Sequence, residues 1–296
     1  MLRKLIALAP FFLLLAGCVG AESERSIETL SSSGARERIP IAVLKPDGAG
    51  PFPAIVVMHD CSGLGLRSSG APNRWADELV RHGYVVAIPD SFTTRGHAGG
   101  VCTVPPQQRH ADTSARSRAH DAYAALAYLR ALPYVDGQRV GIIGGSHGGS
   151  TVLATMAAPS SDTEPLAHEK HGGFAAAVAL YPACPPPRAG GASPVYKPIA
   201  PVLILIGEKD DWTPAEPCRT LVDAAAEAGH PLSIKIYPGA LHAFDSPYPV
   251  KYVATRINQN APGGRGATTG GDASAWAESI HDVEAFFDRY LMPVRH

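Results

Sequence analysis

A chain of 296 residues, 45% hydrophobic and 18% charged, is long and apolar enough to fill one large core. Its formal net charge of −1 leaves no basic footprint, so nucleic acid is excluded as a partner at this level. No internal repeat is evident.

The first eighteen residues, Met1-Leu-Arg-Lys-Leu-Ile-Ala-Leu-Ala-Pro-Phe-Phe-Leu-Leu-Leu-Ala-Gly-Cys18, carry two basic residues, a short apolar core and small residues before a cysteine. That order reads as an export signal and not as a fold element. The apolar run is short for a membrane span, and Leu15-Ala-Gly-Cys18 looks like a bacterial lipobox, whose cysteine is lipidated and becomes the mature N-terminus. The expectation is an exported, periplasmic protein held in the cell envelope by a lipid on Cys18. Val19 stands where aspartate signals inner-membrane retention in known lipoproteins, which points to the outer membrane. Residues 19–36, rich in Ser, Glu and Gly, read as a polar tether, and residues 37–296 as a single α/β domain.

Within that domain the apolar period alternates. Arg38 to Leu44 alternates like an early strand, and Pro53-Ala-Ile-Val-Val-Met-His59 is a continuous apolar run of the kind a central parallel strand needs. Helical spacing follows from Arg74 to His82 and stops at Gly83. Tyr84 to Ile88 is the next strand and Ser114 to Leu132 the next helix. Further strands are expected at Phe174–Tyr181, Pro201–Ile206 and Ser233–Tyr237, with helices near Pro214–Ala228 and Ala275–Tyr290. Strands alternating with helices imply a mostly parallel sheet with helices on both faces and ligands at the carboxyl ends of the strands.

The stretch Arg139-Val-Gly-Ile-Ile-Gly-Gly-Ser-His-Gly-Gly-Ser150 reads as a buried strand, a sharp turn and a helix, with Ser146 at the corner. Gly144-Gly-Ser-His-Gly148 fits Gly-x-Ser-x-Gly, the nucleophile elbow. The pattern alone recurs by chance in a chain with 30 glycines; its place after an apolar strand is what gives it weight.

A serine hydroxyl is a poor nucleophile at neutral pH, so an imidazole must accept its proton and a carboxylate must orient that imidazole. Asp210, in Gly207-Glu-Lys-Asp-Asp-Trp-Thr-Pro214, and His242, in Pro238-Gly-Ala-Leu-His-Ala-Phe244, each follow an expected strand. Ser146, Asp210 and His242 stand in the order that the α/β-hydrolase fold uses. Glu208 and Asp211 are rival acids, with exposed turn positions as their simpler reading. His147 is expected to contribute its backbone amide, and the amide of Cys61, after His59-Asp60, the second oxyanion donor. His168 and His171 have a spacing that a metal can use but no third ligand nearby, so they read as a solvated loop. No metal or cofactor is expected, and His97 and His110 receive no role.

The combination of Val56-Val-Met-His-Asp-Cys-Ser-Gly63, Pro89-Asp90, Gly144-Gly-Ser-His-Gly-Gly149, Gly207-Glu-Lys-Asp-Asp-Trp-Thr-Pro214 and Tyr237-Pro-Gly-Ala-Leu-His-Ala-Phe244 resembles the dienelactone hydrolase family. The resemblance runs from about residue 38 to 291 and implies acyl chemistry on an α/β-hydrolase fold, with nucleophile, acid and base at Ser146, Asp210 and His242. Two features depart from that family. Dienelactone-opening members usually carry cysteine as nucleophile, and they hold the substrate carboxylate with arginines, one of them where this chain has Asp245-Ser246. Arg95 is the candidate for the other arginine.

Phe92, Arg95, Tyr181, Trp212 and Phe244, each on a loop leaving the sheet, are the expected pocket residues. After the lipobox four cysteines remain, and strand order suggests Cys61–Cys102 and Cys184–Cys218, each pair on loops leaving neighbouring strands at the site end. Residues 249–274, rich in glycine, read as a long mobile loop that could serve as a lid. The functional expectation is a serine hydrolase of small carboxylic esters or lactones working through an acyl-enzyme. The alternative is an envelope lipoprotein that binds a small ligand on the same scaffold without catalysis.

Overall fold

A computed structural model of the chain describes residues 25–158, 172–185 and 195–292. The signal segment with Cys18, and the pair His168 and His171, lie outside the described residues. No helix among the described residues is long and apolar enough to cross a membrane.

The sheet opens with an antiparallel pair, β1 (Ser26–Leu30) and β2 (Arg36–Leu44). It continues in space through β4 (Val85–Pro89), β3 (Phe52–Met58), β5 (Val135–Gly145), β6 (Ala176–Leu180), β7 (Val202–Gly207) and β8 (Leu232–Tyr237). β2 is antiparallel to β4, and every later pairing is parallel. From Pro53 to Met58 every residue of β3 is buried, so side chains pointing to opposite faces are all covered. Such a strand needs a helical layer on each side, as the Val- and Ile-rich sequence predicts.

The layers are built from two helix pairs and α4. α1 (Ala71–Arg81) meets α5 (Ala273–Leu291) through the rings of Trp75 and Trp276, 4.8 Å apart and edge to face. α2 (Arg118–Arg130) packs on α3 (His147–Met156), and α4 (Ala215–Glu227) lies against β7 and β8. The chain leaves β3 to one side to form β4 and returns to place β5 on the other side. That reversal opens a crevice at the carboxyl ends of β3 and β5, where open α/β sheets bind ligands.

Two expectations need correction here. The tether assigned to residues 19–36 overlaps β1, which pairs with β2 from Ser26↔Pro40 to Leu30↔Arg36. Ile27 and Thr29 point inward, and Thr29 donates a hydrogen bond to Asp121 on α2, so a strand with one strong apolar anchor is held by its ladder and a buried polar contact. Residues 249–274 are not a structureless loop but carry an antiparallel hairpin, β9 (Lys251–Ile257) and β10 (Arg265–Thr269). Its glycines sit near the turn between the two strands.

The hairpin is stitched to the body at several points. Asp211 accepts hydrogen bonds from the amide and hydroxyl of Thr268, Asn258 Nδ2 donates to the carbonyls of Asp211 and Gly266, and the indole of Trp212 donates to the carbonyl of Ile257. The amide of Ile257 bonds the carbonyl of Cys102, and that of Gly270 bonds the carbonyl of His242. β9 is mainly exposed and has little apolar periodicity, so these bonds hold it in place, while β10 also buries Ala267 and Thr269.

Candidate active site

β5 turns into α3 at Ser146, whose φ of 54° and ψ of −116° place a non-glycine residue in a sparsely populated backbone region. The flanking glycines allow that turn. A Cβ on Gly144 would stand 2.6 Å from the carbonyl carbon of Gly148, and one on Gly148 would collide with the carbonyl oxygen of Met58 at the end of β3. The described non-glycine residues with positive φ are Ser146, Tyr181 (37°) and Ala243 (59°). All three border one cavity, and strain of this kind persists only where the surroundings fix it.

Ser146 Oγ lies 3.0 Å from His242 Nε2, and His242 Nδ1 lies 2.8 Å from Asp210 Oδ2. A proton on Nδ1 is bonded to the carboxylate, which leaves the Nε2 lone pair facing the serine hydroxyl. Asp210 is held in turn, because its Oδ1 accepts from the amides of Trp212 (2.9 Å) and Thr213 (2.8 Å). Thr213 Oγ1 sits 2.9 Å from Asp210 Oδ2 and 3.0 Å from His242 Nδ1. The rings of Tyr181 and Trp212 flank the imidazole, each centroid 4.8 Å away. The rival acids are occupied elsewhere, Asp211 on the hairpin and Glu208 on the amide of Gly239.

The relay opens into a cavity of about 140 Å³, room for a small acyl group. Tyr181 and Trp212 line it as expected, but three expected pocket residues do not. Phe92 and Phe244 are fully buried, Phe92 edge-on to His59 and Phe244 between Tyr181 and Tyr237. Arg95 turns inward as well, pairing with Asp121 through two hydrogen bonds (2.7 and 2.9 Å) and with Glu37 at 3.0 Å. A guanidinium with its donors committed to two carboxylates and to the carbonyls of Ser91 and Asp112 is a strut between β2 and α2.

The cavity wall is instead charged by residues that sequence reasoning missed: Arg67, Lys251 and Arg256, with Asp60 opposing them. Arg256 lies 5.0 Å over the Trp212 ring, and its Nε makes no hydrogen bond. The Asp60 carboxylate is consumed by its own loop, accepting from the amide and hydroxyl of Ser62 and from the hydroxyl of Ser69. That loop carries Cys61, whose carbonyl accepts from Val101 and whose sulfur is bonded to Cys102. The second disulfide joins Cys184 to Cys218, so both pairings are those suggested by strand order. Asp60, Cys61 and Cys102 form the one close group of potential metal donors among the described residues, but both sulfurs are spent in the disulfide. Glycines and Asx-type turns in the sequence could have signalled the Asp60 and Asp210 loops; nothing local signals the hairpin's role.

Neither expected oxyanion donor is taken by its own secondary structure. The Cys61 amide donates to no described acceptor, and His147 is the first residue of α3, so its amide has no helical acceptor. Behind them lie two neutral imidazoles. Burial and then the Arg118 charge hold His59 and His147 well below the ordinary imidazole range. His59 Nδ1 is 2.8 Å from the carbonyl of Asp60 while its Nε2 accepts from the amide of Ser91, a pattern only the neutral ring satisfies. Arg118 is itself fully buried, and burial pulls it down to about 10.

A mostly parallel sheet with a strained Ser elbow, and His and Asp on the loops after later strands, is the α/β-hydrolase fold. The dienelactone hydrolase family model matches residues 39–291, and the chain belongs to that family. A Yersinia pestis protein named "Putative carboxymethylenebutenolidase" is 27% identical over 248 residues, covering 76% of this chain and 80% of its own length. The fold is similar to that of Thermogutta terrifontis esterase 2 in its apo form, with a TM-score of 0.63 and 18% identity over 92% of this chain and 97% of that one. It is also similar to a dienelactone hydrolase-like promiscuous phosphotriesterase from metagenomic libraries, with a TM-score of 0.62 and 20% identity over 90% and 98% of the two chains.

Proposed function

We propose that this protein is a serine hydrolase that cleaves small carboxylic esters or lactones through an acyl-enzyme. The observation that carries the reading is the continuous relay from Ser146 Oγ through His242 to Asp210, with 3.0 and 2.8 Å between successive partners. His242 Nε2 takes the hydroxyl proton as Ser146 Oγ attacks the acyl carbon, and the new anionic oxygen faces the amides of Cys61 and His147. Nε2 then protonates the departing alkoxide, and a water molecule repeats the sequence to free the acid. Removing one oxyanion donor in enzymes of this kind costs about 3–4 kcal/mol of transition-state stabilisation, so the two amides carry a large share of the rate.

The cationic wall favours an ester or lactone that itself bears a negative charge. Arg67, Lys251 and Arg256 outnumber Asp60 on that wall. This agrees with family membership and with the name carried by the Yersinia pestis relative. The carboxylate would be held from the hairpin side, since Asp245 is buried where family members carry arginine and accepts from the indole of Trp75 and the hydroxyl of Tyr181. Two disulfides support an exported protein, and the lipobox supports anchoring through Cys18.

A fluorophosphonate probe tests the reading. Wild type should be labelled stoichiometrically and Ser146→Ala not at all; folded wild type that resists labelling would leave a ligand-binding lipoprotein as the better account. Radiolabelled palmitate incorporation, lost in Cys18→Ala, checks the anchor.

A further inference from the structure

Arg118 presents a feature that the relay does not use. Its side chain is fully buried at the start of α2, yet no carboxylate bonds it. The nearest acid on its own helix, Asp121, is committed to Arg95 and to the hydroxyl of Thr29. Burial of a cation without a bonded counter-charge opposes folding, and groups kept against that cost concentrate at functional sites. The described partners of the guanidinium are few. Nη2 donates to the carbonyl of His59 at 2.8 Å, and Nη1 donates to Nδ1 of His147 at 2.7 Å. The plane rests 4.9 Å over the ring of Phe92, and Nε has no partner.

Those two acceptors belong to different halves of the site. The His59 carbonyl is where β3 ends and the chain turns toward the amide of Cys61. His147 is the residue whose own amide opens α3. No other described side chain bonds both segments. We infer that Arg118 is the positioning residue of the oxyanion hole: its two prongs fix the separation of the Cys61 and His147 amides, and its charge lies behind the oxygen that becomes negative. The inference rests on the hydrolase reading above. A rigid planar fork bridges two acceptors where an ammonium reaches one, which explains arginine here. Accepting from Arg118 also fixes the His147 tautomer with Nδ1 unprotonated, so the cation never faces a second one.

The test uses the full chain as wild type, Arg118→Met, Arg118→Lys and His147→Ala. Reactive serine is counted by end-point titration with a fluorophosphonate, kcat per titrated site and KM are measured on p-nitrophenyl acetate, and unfolding midpoints are recorded in parallel. Acylation and deacylation both pass through an oxyanion, so kcat reports on the hole whichever step is slower. Arg118→Met should lose roughly 100-fold or more in kcat per site, with KM changed by less than about threefold. Arg118→Lys should regain about tenfold of that loss, and His147→Ala, which removes one prong, should lose about tenfold with an unfolding midpoint near wild type. Arg118→Met that titrates fully and turns over at the wild-type rate per site overturns the inference. Should that variant not fold, wild-type kcat per site in both Arg118→Lys and His147→Ala overturns it equally. Wild type that fails to titrate overturns the hydrolase reading, and this inference with it.

Discussion

Asp210 and Asp211 are adjacent in the chain and serve different structures: Asp210 Oδ2 lies 2.8 Å from the imidazole of His242, while Asp211 accepts from Thr268 of the hairpin. Asp210→Asn should therefore lower kcat by about 10⁴ through the wrong imidazole tautomer. Asp211→Asn should lower the unfolding midpoint while kcat stays within about threefold. Steady-state kinetics on a small activated ester separates the two, and equal losses would contradict the division.

Gly148 admits the elbow to the end of β3. Gly148→Ala places a methyl group on the carbonyl oxygen of Met58, a backbone atom that cannot swing aside. Urea unfolding should show a loss at the upper end of the roughly 1–3 kcal/mol usual for overpacking. Wild-type stability would mean that the β3–α3 contact is looser than described.

Arg256 is one of the three cations of the cavity wall and stacks on Trp212. Arg256→Gln should raise KM for a carboxylate-bearing lactone about tenfold, the equivalent of about 1.4 kcal/mol, and leave KM for a neutral ester of the same size unchanged. Equal effects on both substrates would assign Arg256 to packing on Trp212.

The neutral histidines make stability depend on pH in a definite direction. His59 and His147 have folded-state pKa values well below 6.5, so beneath that pH the unfolded chain binds protons that the folded chain does not. Stability is complete above about 6.5 and falls as the pH drops through it, at up to about 1.4 kcal/mol per pH unit for each histidine. Denaturant unfolding at pH 5 and pH 7 checks the slope, and a flat profile would contradict neutral burial.

The Cys61–Cys102 bridge closes a 41-residue separation around the cavity wall. In the chain-entropy account a loop of that length corresponds to about 4 kcal/mol. Replacing both cysteines by alanine should lower unfolding stability by a few kcal/mol. Turnover should fall too, because the segment that carries the Cys61 amide loses its covalent link to Cys102 and is held to that loop only by the Val101 amide.

The relay was legible in the sequence because its determinants are local. The elbow needs glycines next to the serine, and the acid and base each follow an apolar strand run, so Ser146, Asp210 and His242 could be placed from short windows. The pocket wall was not legible for the opposite reason. Phe92 and Phe244 are aromatic residues on loops that follow strands, and only the tertiary packing decides that they face the core. Arg95 has the composition of a substrate ligand but meets Asp121 and Glu37, which are distant in sequence. β9 and β10 show no strong apolar alternation, and bonds to Asp211, Trp212 and Cys102 help to hold them in place. β1 hides in a polar segment because one isoleucine and one threonine are all that face inward.

The hairpin divides labour within the molecule. It hangs from Asp211, the residue beside Asp210, yet it lines the cavity with Lys251 and Arg256. Two of the three cations of the cavity wall thus sit on a module separate in sequence from Ser146, Asp210 and His242. On the proposed reading, exchanging the side chains at 251 and 256 would redirect the protein toward other acyl compounds, whereas Gly270 has to stay, because its amide holds the carbonyl of His242.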